Sequence, residues 1–333
     1  MYLLTGAAGF LGQHVARALS ERGLSLRALV LPGDPLAGLL PQGVAVYQGD
    51  LLSDADLDRF FAGAGPGDTL IHCASLITMS MEREDKVTRV NVDGTLNLVE
   101  RCLKTGARML HVTSVHAIEE APHGQVMREP QRLDPEPLVG WYAKTKAMAA
   151  RLVMTAREQQ GLQASIVYPA GLAGPGDHAG GNLTQMFYDY QSGALTLGVA
   201  GGYNFADVRD VAQAIATLAQ TEALGEDYVL SGEYISIVDI LGEFSRVTGR
   251  PPVTRLVPRW LARAFLPLIR LMYKIRRVKP VFSAYSLYTV QANCLFDHAK
   301  ASADLGYAPR PIRETLGDTA RWLMARQRQG PPR

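Results

Sequence analysis

The chain opens on "MYLLTGAAGFLGQHVARALSERG", the stretch that most limits what it can fold into. The apolar run Tyr2-Leu3-Leu4 leads into Gly6, Gly9 and Gly12, and these lead into a segment with Val15, Ala18 and Leu19 on one helical face. This pattern predicts a buried strand, a tight glycine turn and an amphipathic helix. Glycines at this spacing let backbone N–H groups approach a pyrophosphate at the helix N-terminus. A glycine trio alone is a weak signal. Between a strand and a helix it has the context that a phosphate loop requires.

Further strands recur at regular intervals. "LSLRALVL", "VAVYQGDLLS", "DTLIHCAS", "RMLHVTSVHA" and "QASIVYPAGLAGPGD" read as five more, with helical segments such as "VNVDGTLNLVERCLKTG" between them. Strands alternating with helices predict the α/β class, with a doubly wound, parallel Rossmann sheet. In such sheets ligands bind beyond the carboxyl ends of the strands, where Asp50, Ala74, Ser75, Ser114 and Pro169 fall. The chain of 333 residues is long enough for one large domain or two modest ones. The expected division is a dinucleotide-binding domain over 1–175, with 205–230 returning to it. A smaller, mainly C-terminal substrate-binding and lid lobe takes 176–204 and 231–333.

With these motifs in place, the chain resembles an extended short-chain dehydrogenase/reductase of the NAD-dependent epimerase/dehydratase superfamily. In character it is nearest the dihydroflavonol-reductase and 3β-hydroxysteroid-dehydrogenase branch. The resemblance rests on the glycine motif, on Asn91 in "VNVDGT" and on Tyr142 and Lys146 in "GWYAKTKAMAA"; "AKASADLGYAPRPIRETLGDTARWL" also matches the family's ending. Tyr142 and Lys146 lie one helical turn apart on one face. A free phenol, with a pKa of about 10, is a poor proton carrier at neutral pH. A nearby ammonium and an oxidised nicotinamide favour the phenolate, which makes Tyr142 the expected general acid/base. The resemblance gives Lys146 a second task, holding the nicotinamide ribose. The third catalytic residue should be a hydroxyl at the end of strand five. Matching "HVTSVHAI" selects Ser114, whereas a gap-free count from Gly106 reaches Val115; Ser114 is preferred because valine cannot donate a hydrogen bond.

The same resemblance implies that Gly6, Gly9, Phe10, Leu11 and Gly12 cradle the pyrophosphate, that Asp50 and Leu51 flank adenine, and that Ala74 and Ser75 line the ribose side. Tyr168, Pro169 and Gly171 should face the nicotinamide end. Asn91 is a relay or cofactor-side residue, or else a helix N-cap. The cofactor is NADP or NAD. Strand two ends "ALVLPGD", with Leu31 where a discriminating charge would sit and no acid on the strand itself, which leans the reading toward NADP(H). Arg27 reaching forward or Asp34 folding back would alter that reading.

Three functions share this scaffold. The run Thr113-Ser114-Val115 departs from the Thr-Asp-Glu of the family's sugar-nucleotide dehydratases, and the continuation "HAIEEAP" departs from the "VYG" of its epimerases. The main reading is an NAD(P)-dependent oxidoreductase acting on a ketone or alcohol, with a sugar or nucleotide-sugar epimerase as the alternative. A non-catalytic dinucleotide sensor comes third, because such proteins tend to lose the tyrosine or lysine that this chain keeps. The long loop "EEAPHGQVMREPQRLDPEPLVG" is expected to carry specificity.

The formal net charge of +2 hides an asymmetry: ten Lys and Arg and no Asp or Glu lie between Phe244 and Phe296. Within that stretch, "RWLARAFLPLIRLMYKIRR" (259–277) places a basic stripe opposite an apolar one, with Pro267 as a kink. It is expected to serve as a lid helix, or as a peripheral membrane contact that suits an apolar or lipid-like small-molecule substrate. Cys73, Cys102 and Cys294 stand far apart, so neither a disulfide framework nor a metal site is expected. No nucleic-acid partner, cleaved leader or spanning helix is expected, which points to a cytoplasmic protein at most peripheral to a membrane. A homodimer built partly on the Tyr142 helix is implied by the resemblance.

Overall fold

Strand β1 (Tyr2–Thr5) is an interior strand of a seven-stranded parallel sheet in the computed structural model, which describes residues 1–222, 224–257 and 283–329. From β1 the chain steps outward through β2 (Leu26–Val30) to β3 (Ala45–Gln48) at the edge. It then returns to the other side of β1 and runs through β4 (Thr69–His72), β5 (Arg108–Val112) and β6 (Ala164–Pro169). This reversal beside β1 opens a crevice at the carboxyl ends, where a doubly wound sheet binds its ligand. A seventh strand, Tyr228–Leu230, closes the far edge against β6; its three residues are too few to show a sequence period.

Side-chain alternation sends Leu3 to one face of the sheet and Leu4 to the other, and each face has its own helices. Helix α1 (Phe10–Glu21) covers one face with Val15, Ala18 and Leu19, all buried as the helical spacing requires. On the other face, α2 (Asp54–Phe60), the single turn α3 (Asp85–Thr88), α4 (Gly94–Thr105) and α5 (Trp141–Gln160) follow in order. Ala143, Ala147 and Ala150 are fully buried, so α5 presents a small-residue face to the sheet.

Beyond β6 the chain builds the smaller lobe. There β7 (Gly171–Ala173), β9 (Gly202–Asp207) and β11 (Glu233–Ser236) form a three-stranded sheet, while β8 (Gly198–Val199) pairs with β12 (Leu256–Val257); β10 is the edge strand already described. Helix α6 (Asn182–Ser192) packs on α8 (Ile237–Thr248) through Phe187 and Phe244, whose rings meet edge to face at 5.1 Å. Between these helices, α7 (Val208–Ala219) returns to the face covered by α1. The C-terminal segment adds α9 (Ala284–Thr289), α10 (Ala299–Leu305) and α11 (Ile312–Gln329). Asp207 is wholly buried at the start of α7, where it accepts bonds from Arg209 and from Thr315 of α11. It therefore joins the lobe to the main sheet.

The loop that follows β5 is fastened to this segment. Glu120 accepts the Tyr288 hydroxyl and the Asn293 backbone N–H, and the Asn293 amide donates to the carbonyls of Ala121, Pro122 and Gln125. Met127 then exchanges backbone bonds of 2.8 and 3.0 Å with Leu295 and Asp297. The expected basic helix at 259–277 lies outside the described residues. Among the described residues no helix is long and apolar enough to cross a membrane.

Candidate active site

Gly6 adopts φ +68°, and a Cβ there would lie 2.5 Å from the Ala74 nitrogen. A Cβ on Gly12 would lie 2.0 Å from the Gly6 carbonyl oxygen. Neither position admits a side chain, and the two glycines bring the first turn of α1 against the end of β4. Gly9 is different: among the described residues a Cβ there would meet only the Gly6 carbonyl, at 3.1 Å. That contact is tight but lone, and no side chain caps α1 behind it. A glycine beside uncapped N–H groups is the cradle that a pyrophosphate would fill, so the turn fits a dinucleotide. Leu11 is buried and can contribute only its backbone, while Phe10 is half-buried.

At the adenine end, Asp50 spends one carboxylate oxygen on the Leu52 N–H, and the Leu51 side chain is buried. Leu31 projects from the end of β2, 56% exposed. Arg27 does not reach forward. Its guanidinium donates to the carbonyls of Phe60 and Ala62 and lies 4.8 Å from the Tyr47 ring. Asp34 does not fold back either, because it caps the short turn at Pro35–Leu39 through the Leu36 N–H.

The ends of β4 and β5 meet α5 at Tyr142. The hydroxyls of Ser75 and Ser114 face its phenol from the two strand ends, where they favour the phenolate. Ser114 Oγ also accepts the His116 N–H, which fixes the turn after β5, whereas Val115 is turned into the core. Lys146 is 3% exposed, and its Nζ donates to the Val112 carbonyl at 2.7 Å. Thr113 donates to the Lys146 carbonyl, so β5 and α5 are tied in both directions.

Asn91 is not a helix N-cap. It lies inside a widened helical turn (Arg89–Asp93), 2% exposed, between α3 and α4. Its side-chain oxygen accepts the Leu76 N–H, and its amide donates to the Leu76 carbonyl and the Thr145 hydroxyl. With both amide hydrogens used, Asn91 braces the loop after β4 against α5 rather than offering a free donor to a cofactor. Tyr168 also departs from expectation. The strand's alternation turns its ring into the core on the α5 side, wholly buried, so it does not face the nicotinamide end. Pro169 is buried at the end of β6, and Gly171 stays partly exposed at the start of β7.

Electrostatics set the protonation states. Burial raises the Tyr142 phenol to about 12, although the hydroxyls of Ser75 and Ser114 pull the other way. Burial lowers the Lys146 ammonium to about 8. Burial is the dominant influence on the phenol, and the Lys146 Nζ spends one of its three donors on the Val112 carbonyl. Two residues that the sequence did not single out for a role stand beside the phenol. The His116 ring lies 6.4 Å from that of Tyr142 and 6.3 Å from that of Tyr285. Tyr285 belongs to "SAYSLYTV", whose recurring tyrosines are a faint signal hidden at the end of the basic stretch.

Comparison with known proteins identifies the family. The chain is 28% identical to "Sterol demethylase protein B" of Methylococcus capsulatus, covering 97% of this chain and 98% of that one. It is 25% identical to "3 beta-hydroxysteroid dehydrogenase type 7" of Rattus norvegicus, covering 98% and 95%. The crystal structure of gox2253 superposes with a TM-score of 0.83 at 28% identity, covering 100% of this chain and 99% of that one. Residues 2–231 match the model of the NAD dependent epimerase/dehydratase family, and the chain belongs to that family.

Proposed function

We propose that the protein is an NAD(P)-dependent oxidoreductase that interconverts an apolar ketone and its alcohol, with Tyr142 as the proton-transfer residue. The observation that carries this reading is the convergence of Ser75, Ser114 and Tyr142 at the strand ends, with Lys146 buried on the same helix and tied to the end of β5. Gly6, Gly9 and Gly12 hold the pyrophosphate, and Lys146 holds the ribose. The nicotinamide, when bound, supplies or accepts the hydride. Ser114 donates to the substrate oxygen and fixes its direction, and Tyr142 passes the proton to or from that oxygen. Burial holds Tyr142 as a neutral phenol, the form that gives its proton to the substrate oxygen in the reductive direction.

An apolar substrate is supported by the loop after β4. It carries Ile77 and Met81, 70% and 44% exposed, and the Ser80 carbonyl anchors it to the first N–H of α5. The relatives named for sterols and steroids point the same way. NADP(H) is favoured because β2 is followed by the exposed Leu31, with no acid on the strand to accept a ribose 2′-hydroxyl; tighter binding of NADH than NADPH would reverse that choice. The decisive experiment is Tyr142→Phe. Turnover of NADPH with a panel of apolar ketones should fall by about 10²–10⁴-fold while NADPH binding, followed by its fluorescence, stays near wild type. Undiminished turnover would end the assignment of Tyr142.

A further inference from the structure

Three tyrosines cluster where α9 meets the site: Tyr203, Tyr285 and Tyr288. Two of their hydroxyls are occupied. Tyr203 donates to the Ser286 carbonyl and Tyr288 to Glu120. The Tyr285 hydroxyl is buried and has no hydrogen-bond partner among the described residues, and the residue as a whole is only 4% exposed. A buried phenol left unpaired costs about 1–3 kcal/mol, so folded proteins seldom leave one without a use.

Its position indicates the use. The ring rests on Gly140, the residue before α5; a Cβ there would fall 2.2 Å from the ring edge, and Gly140 sits at φ +89°. Gly140 is thus a glycine both for its backbone and because Tyr285 occupies the space beside it. His116 lies between Tyr285 and Tyr142, its ring centroid 6.3 Å from that of the first and 6.4 Å from that of the second, so Tyr285 stands on the Tyr142 side of the cluster.

We propose that Tyr285 is a specificity-determining residue that donates its hydroxyl proton to a second oxygen of the substrate, distinct from the one held by Ser114 and Tyr142. This inference rests on the oxidoreductase reading above. The substrate class narrows accordingly, to an apolar ketone or alcohol bearing a further hydroxyl or carbonyl close to the reacting carbon. Burial keeps the Tyr285 phenol protonated, so it acts as a neutral donor over the whole physiological pH range.

The test compares paired ketones that differ only in the second oxygen, cyclohexanone against 2-hydroxycyclohexanone, in the full chain and in Tyr285→Phe. The phenylalanine keeps the ring on Gly140 and His116 and removes one oxygen. For the hydroxyketone, kcat/KM should fall at least fivefold, while that for cyclohexanone and the NADPH affinity should hold within twofold. Equal losses on both ketones would make Tyr285 a packing residue, and unchanged rates on both would take its hydroxyl away from the substrate; either result overturns the proposal. Failure of the underlying reading looks different. The wild type would then reduce neither ketone nor any other ketone of the panel, and the assignment of Tyr285 would fall with it.

Discussion

Lys146 carries its charge where charge is costly. Its Nζ has the Val112 carbonyl as partner, and its side chain is 3% exposed. Burial pulls its pKa from the ordinary 10.5 down to about 8, so between those values the unfolded chain binds the proton more readily than the folded one. Stability contributed by this group is therefore lowest below pH 8 and rises as pH climbs from about 8 toward 10.5. The full swing is about 3 kcal/mol. Cys73 opposes it at the upper end, since burial raises that thiol from 9.0 to about 12 and folded stability is lost as pH passes 9. The discriminating quantity is the difference between wild type and Lys146→Met. Thermal midpoints followed from pH 7 to 9 should rise in the wild type relative to the variant, and parallel profiles would mean that the ammonium is not held as described.

At the scale of elements, the turn from β1 into α1 separates two kinds of glycine. Gly12→Ala drives a methyl into the Gly6 carbonyl and should cost about 1–3 kcal/mol of stability, read as a lowered melting point. Gly9→Ala meets only the Gly6 carbonyl, and at 3.1 Å rather than 2.0 Å, so it should cost less stability than Gly12→Ala, while its methyl crowds the pyrophosphate cradle and weakens NADPH at least tenfold by fluorescence titration. The reverse pairing would place the phosphates elsewhere. The sequence already revealed this turn, because glycine spacing reports a backbone constraint directly. It also revealed six of the seven strands of the main sheet and the approach of Ser114, Tyr142 and Lys146, since each is a chemically distinct residue at a strand end or on a helix face. What it could not reveal was carried by main-chain atoms and by distant pairings. The Val112 carbonyl that engages Lys146 leaves no mark in residue identity. Arg27 reads as a candidate for the cofactor until the carbonyls of Phe60 and Ala62 are seen to take its guanidinium. The inward turn of Tyr168 follows from strand alternation, which was there to be read, whereas the partners of Asn91 depended on a widened turn with no sequence period.

For the molecule as a whole, the decisive join is between the loop after β5 and the C-terminal segment. Glu120, Asn293, Met127 and Asp297 tie residues just over half the chain apart, and Tyr285 and Tyr288 ride on the same segment. Such a join cannot flicker open one residue at a time, because each bond holds the geometry of the next. Its amides should behave as one cooperative opening unit. In native-state hydrogen exchange, Met127, Asn293 and Asp297 should exchange with a common opening free energy, and Asn293→Ala should lower protection at Met127 and Asp297 together. Independent protection at the three sites would show the loop and the segment moving separately. If they move together, the mouth of the crevice opens by displacement of one body, and the rate of that displacement sets an upper limit on how often the pocket can exchange its contents.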